Sequence, residues 1–577
     1  MAEVILSPGV FQIESDQSLY TQAPPALGAA IVGPTVGGRP FVPTYVTTYT
    51  QYLSLFGDIF KSGSYYYEYF TSQAAREYFQ NGGQSLLVTR IISGSNGINT
   101  YAQASVPNSG SVGTSFVLET LAWGNQMNNS SSISSGALAS GSAQNVRWEV
   151  TNVNTGSNGG TFTLVVRRGD DNDAQKNILE TWANMSLDPQ LPNYVARVIG
   201  DLKPEYNTTT GQVDFKGTYS NQSLYVRVAS VTTPNVDSID NNGNFKFTQY
   251  SGSLPQVGSG SYGGSFNGGV ADTNLAKNMN ENIGDGSSTA NNIQGFMPDD
   301  YNRAFTLLSN KDEYQFNVLM APGAGLDTAA GDNMIATCEG RGDAIAILDA
   351  GKYSTTIVGA TQNASGQSSN YGATYYPWVQ LFSSNLGKTV WCPPSTVIGG
   401  VLAFNDQVGA EWFAPAGLNR GGIPSVVRAE RRLSQTDRDT LYTGNVNPLA
   451  TFPGTGVCVW GQKTLQRKPT ALDRVNVRRL LIALKDFIGG VARNLVFEQN
   501  TTVTRNRFLS QVNPYLESVV QRQGLFAYRV VMDETNNTPD VIDRNQLVGQ
   551  IFIQPTKTAE FIILNFNLTP TGAEFPA

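Results

Sequence analysis

Between Arg474 and Val496 the apolar residues Val477, Leu480, Leu481, Leu484, Phe487, Ile488, Val491 and Leu495 recur at helical spacing. At about 100° per residue they fall on one stripe roughly 120° wide, as expected of a helix that buries a single face. The stretch from Thr504 to Gln523 predicts a second helix, with Gly524 in the stop position. The period then changes to two: Phe526, Tyr528 and Val530 alternate in one run, Ile551 and Ile553 in the next, and Ile562, Leu564, Phe566 and Leu568 in a third. Two helices and three strands make a compact α+β unit. A small three-stranded sheet leaves two open edges, which are liabilities unless something pairs with them.

A candidate for that pairing stands at the other end of the chain. Residues 4–13 read as an extended arm broken at Pro8-Gly9, and Val10, Phe11 and Ile13 lie in a short edge-strand segment beyond the break. The first C-terminal helix carries a second surface feature. Arg474, Arg478 and Lys485 cluster away from the apolar stripe, with Arg493 nearby. A single-sign stripe in a chain of net charge −7 is expected either to be a solvated basic face or to dock an acidic partner.

A chain of 577 residues exceeds one ordinary core, and 40% hydrophobic against 14% charged residues with 59 glycines favours a β-rich globular protein with many turns. After the arm (1–22), residues 23–95 read as a β-α-β beginning, with a helix expected over 65–81 and a buried strand over 85–92. Residues 96–302 shift to Gly, Ser, Asn and Thr with short alternating runs, a β-rich insertion of one or two domains. Residues 303–455 return to α/β pattern, so 23–95 and 303–455 together predict one discontinuous α/β domain, followed by the C-terminal unit over 456–577. The fold class is therefore α/β and α+β, multidomain.

The residues supply little chemistry. Histidine is absent, which removes Ser-His-Asp and Cys-His catalysis and His-ligated zinc together. Cys338, Cys392 and Cys458 form no CxxC pair and read as buried thiols. The loop containing Gly323 and Gly325 follows a predicted strand but lacks the third glycine of a dinucleotide fingerprint and any G-K-[ST], so it reads as a plain strand-to-helix turn. Asp170, Asp171 and Asp173 lack the Gly and terminal Glu of a calcium loop and read as a solvated turn. Asp299, Asp300 and Glu339 are the acidic residues from which a glycosidase pair would be drawn, although nothing in the sequence brings them together. No catalytic residue, metal site or cofactor is expected. The acidic balance argues against general nucleic-acid binding. The N-terminus lacks a secretory pattern and no window approaches 18 apolar residues, so a protein that folds in a cytoplasm without membrane insertion is expected.

The chain resembles the tail sheath proteins of contractile-tailed bacteriophages. The resemblance is carried by SPGVFQIESD at the N-terminus, FGDIF and AAREYFQNGGQSLLVTRI, VWCPPSTVIGGVLAFND, the run NVNPLATFPGTGVCVWGQKTL, and nearly all of the sequence from NVRRLLIALKDFIGGVARNLVFEQNT to NFNLTPTGAEF. It covers roughly residues 1–95 and 380–577 and is weak across 96–300, where sheath proteins carry outward-facing insertions. It implies a mechanical function: a helical homo-oligomer around a tail tube, contracting to drive the tube through the host envelope, bounded by baseplate and tail-terminator proteins and located in the virion after assembly in the host cytoplasm. It also implies that terminal arms add strands to neighbours' C-terminal domains, and that the C-terminal domain, with Arg474, Arg478 and Lys485, faces the tube. The alternative from composition is a β-rich polysaccharide hydrolase with paired carboxylates.

Overall fold

Runs such as AAIVG and IAILD carry apolar residues without alternation, which suits strands covered on both faces by helices. In the computed structural model they form the centre of an eight-stranded sheet. The model describes residues 28–62, 65–92, 101–109, 113–129, 133–134, 136–154, 160–207, 209–232, 254–269, 296 and 298–560. The strand order is Thr44–Val46, Leu86–Arg90, Ala29–Gly33, Val318–Met320, Ile345–Asp349, Gly372–Tyr376, Val446–Phe452 and Gly456–Val459. The six inner strands are parallel, and the first and last run antiparallel to their neighbours. Ala29 pairs with Val318 and also with Leu86, so segments far apart in sequence share one sheet.

Helices Phe70–Gln80 and Ser395–Val408 pack on each other and on this sheet. Their closeness explains the Gly399-Gly400 pair inside the second helix. A Cβ at Gly400 would stand 2.9 Å from the Glu77 carbonyl oxygen, and one at Gly399 2.4 Å from the Met320 sulfur. The helix expected over 65–81 is shorter than its pattern: Tyr65–Glu68 pairs with Ile59–Ser62 as a hairpin, and the helix starts at Phe70. A run of tyrosines favours a half-buried strand over a helix. At the other end, Gly456–Val459 hydrogen-bonds to Val446–Phe452 and so closes the large sheet.

The sequence between these sheet segments forms two antiparallel three-stranded sheets, Val146–Asn154/Thr161–Arg168/Ile178–Met185 and Val226–Val231/Thr114–Trp123/Tyr101–Pro107. They share a core in which Phe116 and Phe162 stack with ring centres 5.4 Å apart. In the acidic run at 170–173, Asp170 and Asp173 are exposed as a solvated turn requires, whereas Asp171 is not. Asp171 is buried and takes two hydrogen bonds from Arg167, at 2.8 and 2.9 Å, and one from Arg147 at 3.3 Å. Both arginines are fully buried, so the aspartate neutralises charge inside the insertion. Among the described residues no group of acidic, Cys or His side chains is arranged to hold a metal ion, and no helix is long and apolar enough to cross a membrane.

Candidate functional site

The helix expected over 474–496 is observed as Val475–Arg493, and the second as Thr502–Gln521 with Pro514 inside it. The first helix has two buried faces. Val475 and Ile482 join the core of the large sheet, whereas Leu480 and Leu484 pack with Phe508, Val512, Leu516 and Val519 of the second helix. Phe487 stacks on Tyr515 with ring centres 3.8 Å apart. This double burial fastens the C-terminal unit to the sheet domain.

A two-stranded antiparallel sheet, Leu525–Val531 with Gln550–Pro555, lies against these helices. Tyr528, Val530, Ile551 and Ile553 form its inner face, and the Tyr528 hydroxyl donates to the Asn513 carbonyl at 3.1 Å. Phe526 does not share that face, contrary to simple alternation. The register shifts between Leu525 and Ala527, and such a bulge leaves Phe526 on the outer side, 79% exposed. Phe552 is also outward, 56% exposed. Among the described residues neither outer edge of this hairpin has a strand neighbour. Val10, Phe11 and Ile13 of the expected arm, and Ile562, Leu564 and Phe566 of the expected third strand, lie outside the described residues.

The basic residues are not a free stripe. Arg474 donates from Nε and Nη2 to the two carboxylate oxygens of Glu560 at 2.7 and 2.9 Å, and Nη1 lies 3.0 Å from Asp473. Burial alone would lower its pKa, but the Glu560 contacts outweigh that and raise it. Arg478 is buried, donates to the Asn370 side chain at 3.1 Å, and lies over the Tyr371 ring at 4.2 Å. Burial lowers its pKa, with Tyr371 opposing. Lys485 keeps an exposed head, within 3.3 Å of the Tyr371 hydroxyl. A helical wheel locates these residues on one side but cannot reveal that the side is covered by residues about a hundred positions away. The wheel also omits Arg479, which is buried and pairs with Asp406.

The expected absence of a phosphate loop has a structural counterpart. The Gly323 amide donates to the Asp349 carboxylate at 3.1 Å, and Asp349 also accepts from the Ser395 amide and hydroxyl, both at 2.8 Å. A fixed carboxylate thus faces the amides that an anion would use. Burial raises the Asp349 pKa to about 6, more than these hydrogen bonds lower it. The residues weighed for a glycosidase stand apart in kind: Asp300 is buried and faces Arg303 at 3.9 Å, while Glu339 is exposed on the helix Ala329–Arg341. The hydrolase alternative has no support.

Residues 297–465 match the phage tail sheath protein central domain, and residues 467–569 match the phage tail sheath C-terminal domain. The tail sheath protein of Vibrio phage KVP40 is 43% identical over 185 residues, which is 32% of this chain and 28% of that protein. The tail sheath protein of Enterobacteria phage T4 is 42% identical over 185 residues, with the same shares. The match thus spans little more than a quarter of either relative. In fold, the chain is similar to the sheath tail protein of Listeria innocua, with a TM-score of 0.53 at 10% identity over 92% of this chain and 95% of that one. The two adjoining matches identify residues 297–569 with the central and C-terminal domains of phage tail sheath proteins, and together they span just under half of the chain.

Proposed function

We propose that this protein is a structural, non-catalytic subunit of a contractile phage tail sheath. Subunits polymerise helically around the tail tube, between baseplate and tail terminator, and lattice contraction drives the tube through the host envelope. They assemble in the host cytoplasm and end in the virion. The observation that carries the reading is the pair of sheath-domain matches, central and C-terminal, on consecutive stretches of the chain. The five-segment division of the chain goes with it, with the second part of the middle domain extended to Val459 to include the last strand of the large sheet.

The two-stranded C-terminal sheet supports the assembly part of the reading. An arm added to an unpaired edge would form four to six backbone hydrogen bonds, each worth about 0.5–1.5 kcal/mol net. A head-to-tail contact repeated by every subunit generates an open helix, and extended links hold neighbours together while rigid domains rearrange. In this reading residues 10–13 of one subunit and 562–566 of another join the hairpin of a third. Of the three basic residues, only Lys485 keeps a tube-facing role.

The test is electron microscopy of the purified protein with and without residues 1–14. Tubes or rings from the full chain, and folded monomers from the truncated one, are expected. Monomers from the full chain at high concentration, even with tube protein present, would overturn the sheath reading; unchanged tubes after truncation would overturn the arm.

A further inference from the structure

The chain leaves the hairpin at Pro555, and five residues later the Glu560 carboxylate is gripped by the sheet domain and its connector. Arg474 donates to both oxygens at 2.7 and 2.9 Å, the Tyr442 hydroxyl donates at 2.6 Å, and the Gln462 side-chain nitrogen donates at 3.1 Å. The same Gln462 nitrogen donates to the Thr558 hydroxyl at 2.7 Å. The three donors come from different places: Tyr442 from the helix Gln435–Thr443, Gln462 from the segment after the last sheet strand, and Arg474 from the start of the long C-terminal helix. The Tyr442 ring is itself held, with the Lys463 ammonium 3.9 Å from its centre and donating to the Tyr442 carbonyl at 2.9 Å. Bidentate and charge-assisted bonds of this kind are the strong ones.

We infer that residues 556–560 are a strap fastened at Glu560, so that tension on the chain beyond it passes into the junction between the sheet domain and the first helix of the C-terminal unit, and not into the hairpin. A strand pulled from its end peels from its partner one bond at a time, starting here at Pro555 opposite Leu525. The Glu560 fastening must instead lose four bonds together. The source of tension rests on the sheath reading, in which the segment beyond 560 reaches a neighbour; the fastening belongs to the single chain.

Hydrogen exchange read by mass spectrometry on the full-length monomer tests it with Glu560→Gln, and with Tyr442→Phe as a milder variant that removes one donor and keeps the ring. Amides of 550–559 should exchange on the order of tenfold faster in E560Q, with a smaller increase in Y442F, while the helix Thr502–Gln521 is unchanged. Equal exchange of 550–559 in wild type and both variants overturns the fastening, whether or not tubes form. Faster exchange in a protein that never forms tubes upholds the fastening and removes the sheath reading. If tubes form, those of E560Q should come apart at lower urea than wild-type tubes, and equal resistance would refute the strap's part in carrying tension.

Discussion

Arg479 and Asp406 face each other fork to fork, with the two terminal guanidinium nitrogens 2.8 and 2.6 Å from the two carboxylate oxygens. Arg479 belongs to the first helix of the C-terminal unit and Asp406 to a helix packed on the large sheet, so this pair joins the two matched sheath domains. The Asp406 charge more than offsets the burial of Arg479 and raises its pKa further.

Arg479→Ala should lower stability by about 3 kcal/mol, the low end for a broken buried pair because the Asp406 side chain stays 31% exposed. Urea unfolding followed by tryptophan fluorescence reads it. Arg479→Lys should recover only part, since an ammonium cannot match both oxygens. An unchanged midpoint for the alanine variant would show that the two domains are joined by apolar packing alone.

Asp349 gives a pH dependence whose sign is fixed by its raised pKa. Its folded value of about 6 lies above the ordinary 3.8, so the folded state binds the proton more tightly and stability falls as pH rises between the two. The span corresponds to about 3 kcal/mol. Thermal midpoints of Asp349→Asn from pH 4 to 7 should lack this slope; a slope equal to wild type would assign it to another group.

Glu560 has the opposite sign. Burial would raise its pKa, but the hydrogen bonds from Arg474, Tyr442 and Gln462 prevail and lower it below 4.5. Its contribution is therefore complete above the unfolded value and lost as pH falls through the folded one. The difference in thermal midpoint between wild type and Glu560→Gln should stay constant from pH 8 to about 5 and close below that. A difference that already shrinks near neutral pH would contradict the assignment.

The hairpin's two faces should separate folding from assembly. Phe526→Ser and Phe552→Ser lie on the outer face and should change monomer stability by no more than about 0.5 kcal/mol. Ile553→Ala on the inner face should cost about 1–3 kcal/mol. If the outer face is covered in the sheath, the serine variants will form fewer tubes at unchanged stability. Normal tube yield from both would exclude that face from the assembly contact.

Much of this architecture can be read from local pattern. The apolar stripe from Val477 to Leu495 identifies a helix because its period is 3.6, and the unbroken apolar strands identify a sheet covered on both sides. What escapes the sequence depends on distant partners or on single-residue register. Tyr371 and Glu560 occupy the basic side of the helix from about a hundred residues away in either direction. The bulge beside Leu525 reverses the direction of Phe526, and although Gly524 precedes it and Pro555 lies opposite, neither residue type tells a helix stop or a strand end from a bulge. Asp171 looks solvated because the arginines that bury it, Arg147 and Arg167, come together only when their two strands pair.

The large sheet also sets a timetable for synthesis. Strand Ala29–Gly33 needs Val318–Met320 as its second neighbour, and the 284 residues between Gly33 and Val318 must be translated first. At 5–20 residues per second that interval is roughly 15–60 s. Throughout it, the nascent chain exposes the edge of a buried apolar strand while the β-rich insertion, with its own separate core, emerges and folds beside it. Chaperone occupancy on the ribosome should therefore peak in this window, and slowing translation across residues 230–300 should favour aggregation over folded subunit.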